Sequence, residues 1–282
     1  MKGIAMSEVE VDWDVAGIEL PASRFMTVEV GSTVHGTSIS GQDDLDVACI
    51  WVEPLQDVLK PNPSKGRKMI RTAEDGVRSR AGDIDAQVFT LRAWTGLAVK
   101  GNPSILQMLW CPSVDGEFSY EAALLRASSD LFVGPHIIAP YRGYMRSQAL
   151  RLVGKVGGQH GPRAEFNADV GYDTKYAMHA ARLGCQALEL LDTGRLVLPI
   201  GGERGDRLRA VRRGEVGFGD YFSWLLDLDV ELGKRAAAFD GFPQVLRFLS
   251  DDRMASIMAV VEHIHLRFWG KTGVGFRPGW LS

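Results

Sequence analysis

The sequence is short of cysteine, of long apolar runs and of net charge, and each shortage removes a class of protein. Its three cysteines, Cys49, Cys111 and Cys185, stand far apart and form no C-x-x-C pair. Neither a disulfide framework nor a structural zinc site is expected, and free buried thiols in a reducing compartment are. No stretch approaches the ~18 uninterrupted apolar residues of a membrane-crossing helix. Met1 to Leu20 is acidic and lacks an apolar centre of signal-peptide length, so the reading is a cytoplasmic protein with no membrane partner. Lys and Arg total 32 against 35 acids, a net charge of -3, which excludes a uniformly basic nucleic-acid coat and leaves only local basic faces. Internal repeats and low-complexity tracts are also missing.

What is present suits one or two globular domains: 282 residues, 45% of them hydrophobic, are enough for a sizeable core. Three segments read as strands: Met26 to Val30, the apolar run Asp46 to Val52 (DVACIWV), and Asp83 to Leu91 (DIDAQVFTL), which alternates polar and apolar residues. Pro54 to Ala81, rich in Pro, Gly, Lys and Arg, reads mostly as loop. Arg92 to Val99 is expected to be a short helix. Asn102-Pro103 then supplies an N-cap and a first-turn proline for the next one, ahead of Ser104 to Trp110. Beyond about Glu121 the pattern is helical: Tyr120 to Asp130, Tyr144 to Val153, Lys175 to Leu191 (capped by Asp173-Thr174 and stopped at Gly194), Asp220 to Phe239, and Asp251 to Trp269 up to Gly270. The turn-rich CPSVDG at Cys111 to Gly116 suggests a division into residues 1–115, a mixed α/β unit, and 116–282, a helical one.

Chemistry concentrates where the first strand ends, in Gly31 to Asp46 (GSTVHGTSISGQDDLD). A Gly31-Ser32 turn after a strand offers backbone N–H groups and a hydroxyl to a phosphate. Side chains alternate along a strand, so Asp44 and Asp46 share a face while Asp43 turns away. Two carboxylates so close repel unless a cation neutralises them, and their hard oxygens suit Mg²⁺ or Mn²⁺. A third carboxylate on a neighbouring strand would complete a two-metal site. Asp85 is the candidate and Asp83, two residues earlier, the alternative.

Positive charge gathers at four places. Lys175, His179 and Arg182 fall at i, i+4 and i+7 on one helix face, where they could grip a triphosphate or else form a solvated surface. Between Asp130 and Glu165 there is no acid, whereas Arg142, Arg146, Arg151, Lys155, His160 and Arg163 occur with Tyr141 and Tyr144 among them. That window suits a polynucleotide as well as it suits an ordinary basic surface. Arg207, Arg209, Arg212 and Arg213 form another cluster, diluted by acids. Arg71, Arg78 and Arg80 either reach a phosphate or lie free in solvent. His263 and His265, at i and i+2 of a helix, are not expected to share a ligand, and His35 receives no role.

GSTVHGTSISGQDDLDVACIWV resembles the GS…DxD signature of the DNA polymerase β nucleotidyltransferase superfamily. With KGNPSIL at Lys100 to Leu106, Lys175-Tyr176-Ala177-Met178-His179 followed by Arg182-Leu183, and Glu189-Leu190-Leu191 with Gly194, the chain more narrowly resembles the RNA repair pathway DNA polymerase β family over roughly residues 25 to 215. The resemblance implies an α+β fold: a nucleotidyltransferase-type mixed sheet with flanking helices, then a mainly α-helical C-terminal domain for substrate. It implies that Gly31 and Ser32 contact an NTP, that Asp44 and Asp46 bind Mg²⁺ or Mn²⁺, and that Asp85 completes the triad. The expected reaction moves an NMP from an NTP to an acceptor hydroxyl, with RNA, a tRNA 3′ end among the choices, as the leading acceptor. Lys175, His179 and Arg182 are then nucleotide-binding residues. Transfer to a protein or a small molecule is the alternative on the same scaffold, and a non-catalytic nucleotide or RNA binder, or a structural protein, requires the carboxylates to be incidental.

Overall fold

A computed structural model describes residues 11, 13–14, 16–38, 45–63, 65–73, 82–152, 166–167, 170–239, 245 and 247–271. Its strands β1 (Arg24–Val30), β2 (Leu45–Trp51), β3 (Arg67–Arg71) and β4 (Ile84–Thr90) form one mixed sheet in the order β1-β2-β4-β3. β1 and β2 are antiparallel, β2 and β4 parallel, β3 and β4 antiparallel. The three expected strands are thus β1, β2 and β4.

The fourth strand, β3, lies inside the segment read as loop, which also holds the one-turn helix α1 (Leu55–Val58). β3 sits at the sheet edge with Arg67, Lys68 and Met69 exposed, so it carries no apolar alternation for a sequence reading to find. Charge on an edge strand also discourages pairing with another chain.

Alternation splits the sheet into two faces. Val47, Cys49, Ala86 and Val88 pack under Ile18, Leu20 and Val114. Met26, Val28, Val30, Ala48, Ile50 and Phe89 face the helices and join one apolar cluster that runs through them to Ile264. The helices are α2 (Leu91–Ala98), α3 (Pro103–Leu106, continued by a 3₁₀ turn at Gln107–Leu109), α4 (Tyr120–Ala127), α5 (Ile138–Leu152), α6 (Thr174–Thr193), α7 (Gly202–Arg213), α8 (Phe218–Ala237) and α9 (Asp251–Lys271). A two-residue strand pair, Phe166–Asn167 with Tyr172–Asp173, precedes α6.

The caps form where their chemistry points. Asn102 Oδ1 accepts from Ser104 N at 3.0 Å ahead of Pro103. Asp173 Oδ1 accepts from Lys175 N and Tyr176 N at 2.9 and 3.0 Å, and Gly194 ends α6 in the left-handed conformation that favours glycine. α6 is the central helix of this half, buried along Ala177, Ala180, Ala181, Gly184 and Ala187 between α5, α7 and α8. Tyr221 Oη donates to Ala177 O and Tyr172 Oη to Val216 O, fastening α8 against it.

Three elements depart from expectation. α5 begins six residues before Tyr144, at Ile138, out of a 3₁₀ turn at Pro135–Ile137. α7 (Gly202–Arg213) falls where the sequence pattern placed no helix. α9 runs through Gly270 to Lys271. It also returns to the sheet: Trp269 Nε1 donates to Glu53 O at 2.9 Å, Arg267 pairs with Glu121 at 3.1 Å, and Phe268 lies 5.9 Å from Phe25 between ring centres. Among the described residues no helix is long and apolar enough to cross a membrane, and all three cysteines are free and buried.

Candidate active site

β1 ends in Gly31, whose φ of +86° suits glycine. A β-carbon there would collide with the Asp46 carboxylate, so the turn backbone and that acid are in direct contact. The turn is compact: Gly36 N donates to Thr33 O at 2.9 Å and Thr37 N to Ser32 O at 3.0 Å.

Across the parallel β2–β4 pair, Asp46 is the register partner of Asp85. Asp46 shares its face with Ala48 and Ile50, and Asp85 with Phe89, so both acids stand on the helix-facing side at the mouth of the sheet. Asp83 precedes the strand, and its carboxylate accepts from Thr72 Oγ1 at 3.2 Å. It is therefore Asp85 that the register sets beside Asp46. Asp85 is held in turn by Arg71, whose Nε donates to Oδ1 at 2.9 Å. Of the arginines considered for phosphate contact, Arg71 thus serves a carboxylate, and Arg78 and Arg80 lie outside the described residues.

Asp44, like Asp43, also lies outside them. Among the described residues no group of three His, Cys, Asp or Glu side chains is gathered for a metal. Two adjacent carboxylates with all-oxygen donors do fit a hard divalent cation as far as they go, and the pair is incomplete without a further ligand.

The proposed nucleotide grip on α6 is an inward face, not a solvated one. Lys175, His179 and Arg182 are each half-buried. The Arg182 Nε is sealed from solvent without a hydrogen-bond partner, and Nη1 reaches Gln107 Oε1 only at 3.5 Å. Among the described residues no carboxylate pairs with it. Burial pushes its pKa down to about 10. Tyr141 stands close by on α5, fully buried, and its hydroxyl is likewise unpartnered. His179 is pressed down to about 3 by burial, and then by Arg182, Lys175 and Arg212. A neutral imidazole, a guanidinium whose Nε lacks an acceptor and an unpartnered phenol hydroxyl are gathered here, an inventory an anion would satisfy.

His35, whose role no motif indicates, links the two regions. It is buried, with Nε2 3.0 Å from Gln107 Oε1 and Nδ1 3.4 Å from Gln186 Nε2 on α6. Burial, followed by Arg182, holds its pKa well below the ordinary histidine value. The neutral ring donates through Nε2 to Gln107 and accepts at Nδ1 from Gln186, so the turn that follows Gly31 is pinned to the cationic helix.

The other basic stretches are already engaged. Arg142 and Arg146 both grip Asp229 of α8, each at 2.8 Å, and hold its pKa at about 2. Arg151 lies over the Tyr176 ring. Lys155, His160 and Arg163 lie outside the described residues. On α7, Arg209 pairs with Asp206, Arg213 with Glu215, and Arg207 covers Trp224. His265 accepts nothing from His263: its Nδ1 meets Val261 O at 2.8 Å.

Among curated proteins none matches the chain. The crystal structure of a nucleotidyltransferase-like protein from Exiguobacterium sibiricum is 10% identical over 92% of this chain and 88% of that one, with a TM-score of 0.24. Residues 19–240 match the RNA repair pathway DNA polymerase beta family. With that match covering most of its length, the chain belongs to this family of polymerase β-like nucleotidyltransferases.

Proposed function

We propose that the chain transfers a nucleoside monophosphate from an NTP to an acceptor hydroxyl. The observation that carries this is the apposition of Asp46 and Asp85 in register, with Asp46 against the Gly31 turn. The acceptor oxygen bonds to the α-phosphorus, the bond to the β-phosphate oxygen breaks, the hydroxyl proton is lost and pyrophosphate leaves. Asp46 and Asp85, with Asp44, would hold Mg²⁺ or Mn²⁺, which supplies charge neutralisation and a more acidic acceptor hydroxyl. Gly31 N–H and Ser32 orient the triphosphate at the end of β1. Arg71 aims Asp85 through its Nε hydrogen bond. Lys175, His179 and Arg182 take up the charge that gathers on the departing pyrophosphate, a role that suits a buried guanidinium whose Nε has no acceptor. On this reading residues 1–115 supply the carboxylates and 116–282 the cations.

The family's name supports RNA as the acceptor, and a tRNA 3′ end is one candidate. One observation favours the alternative, a protein or small-molecule acceptor: Arg142 and Arg146, the described core of the basic window, are spent on Asp229. Incubation with α-labelled and γ-labelled NTPs, Mg²⁺ and either total RNA or total protein separates these. Label from the α position alone should enter RNA and disappear in Asp46→Asn. Label in protein instead reassigns the acceptor, and label that survives in both Asp46→Asn and Asp85→Asn removes the carboxylates from the reaction.

A further inference from the structure

We propose that the outer face of α8 is the docking surface for a second copy of this chain. Phe218, Phe222, Leu226 and Val230 recur every fourth residue and are 40, 42, 49 and 55% exposed. Steps of four advance only about 40° round a helix, so the four form one slanting apolar ridge. Apart from Phe218, which leans on Tyr172, the ridge is turned away from the core. The helix is fastened by its other side, where Tyr221, Trp224, Leu225, Leu228 and Leu232 are buried. Nor is it loose, since the Phe218 and Phe222 rings stack at 5.8 Å and Phe218 leans on Tyr172 at 6.0 Å. A contiguous exposed apolar row of rigid side chains marks an interaction site, and its ordering cost is already met.

Charge selects the occupant. Asp220 is exposed beside the first half of the ridge and Asp227 just past its middle, and among the described residues neither makes an ion pair. The second half ends at Lys234, whose side chain is 71% exposed and reaches Glu231 only at 3.7 Å. The ridge is therefore acidic and aromatic at its start, basic and aliphatic at its end. A two-fold axis through Leu226 lays such a helix antiparallel on itself: Phe222 meets Val230 of the other copy, and Phe218 with Asp220 meets its Lys234. Large faces small, acid faces base, and the helix dipoles oppose, which is the self-complementarity an isologous contact requires. Single-stranded nucleic acid would stack on the two phenylalanines, but Asp220 and Asp227 repel its phosphates and Leu226 and Val230 offer it no ring.

The test is sedimentation of the full chain over a concentration series, with no nucleotide needed. The wild type should reach a dimer. Leu226→Lys should weaken association by roughly 30-fold or more, as loss of a central contact does, with an unchanged circular dichroism spectrum and melting temperature. Lys234→Asp should weaken it about tenfold, and adding Asp220→Lys should restore it. A wild type that stays monomeric up to ~100 μM, weaker than a specific interface sustains, overturns the proposal, as does a Leu226→Lys protein that dimerises normally. Binding of a single-stranded oligoribonucleotide by a monomer, lost in Phe222→Ala, would overturn it in favour of nucleic acid.

Discussion

α5 and α6 carry similar positive charge and pack side by side, but they use it in opposite ways. On α5, Arg142 and Arg146 share one carboxylate across the surface of the helix pair and are thereby part of the fold. On α6, Arg182 is carried inward with its Nε unpartnered, beside an idle Tyr141 hydroxyl and a histidine that burial keeps neutral. Density of Arg and Lys in a sequence thus says little about where an anion binds. The useful mark is a cation that has been desolvated and left unmatched, because an unmatched buried charge costs stability unless something else is gained.

The largest effect that would sharpen this contrast is on nucleotide binding. Arg182→Met keeps the bulk and removes the charge. It should lower the affinity for Mg²⁺-NTP about 100-fold while leaving the melting temperature equal or higher. Calorimetric titration with each of the four NTPs, alongside thermal melts, checks both halves. Unchanged affinity, or a large loss of stability, would make Arg182 structural and put α6 on a par with α5.

Next comes acid stability. The folded-state pKa of His179, about 3, lies below the ordinary 6.5. The unfolded chain therefore takes up the proton first. The contribution is fully present above about pH 6.5 and is lost as pH falls towards 3. Between pH 7 and pH 5 this should remove up to about 2 kcal/mol, and His179→Gln should flatten that part of the curve. Bound nucleotide should flatten it too, since an anion stabilises the imidazolium. Denaturant unfolding across pH, with and without nucleotide, reads it out. Identical slopes in the wild type and the variant would place the acid sensitivity in His35 or His136 instead, both also depressed by burial.

Smallest are the α5 effects, which fall on stability alone. Arg142→Met should cost about 1 kcal/mol by loosening Asp229, and Arg146→Ala, whose side chain is 60% exposed, less than about 0.5 kcal/mol. NTP affinity should not move in either. A clear drop in it would mean that this pair lies on the substrate path and that the contrast with α6 is wrong.

How legible each part was follows from how local its cause is. α6 could be bounded from sequence because both of its ends are set within a few residues, by Asp173 and by Gly194. β1, β2 and β4 announce themselves through apolar content that the core demands. β3 and α7 do not: β3 is an edge with charged exposed residues, and α7 buries only Gly205, Leu208 and Val211 in a helix otherwise full of Arg, Glu and Asp. At the site, the closeness of Asp46 to Gly31 could be anticipated, whereas the alternation of Asp44 with Asp46 falls outside the described residues. The preference of the register for Asp85 over Asp83 needed the β2–β4 pairing, which no periodicity encodes. His35 was opaque for the same reason. Its partners lie 72 and 151 positions away, so only the fold could show that the turn and the cationic helix are tied by one ring.

The homecoming of α9 bears on how the molecule can be divided. The segment shared with the family stops at residue 240, and a boundary drawn there looks natural on paper. Cutting at it would leave Glu121 without its arginine, and would uncover Phe25 on the first strand and strip the indole from Glu53, both in the half of the chain that holds the carboxylates. α9 is a clasp on the four-stranded sheet, so under the proposed function a shortened protein that fails to turn over nucleotide would report a sprung scaffold, not a missing substrate arm.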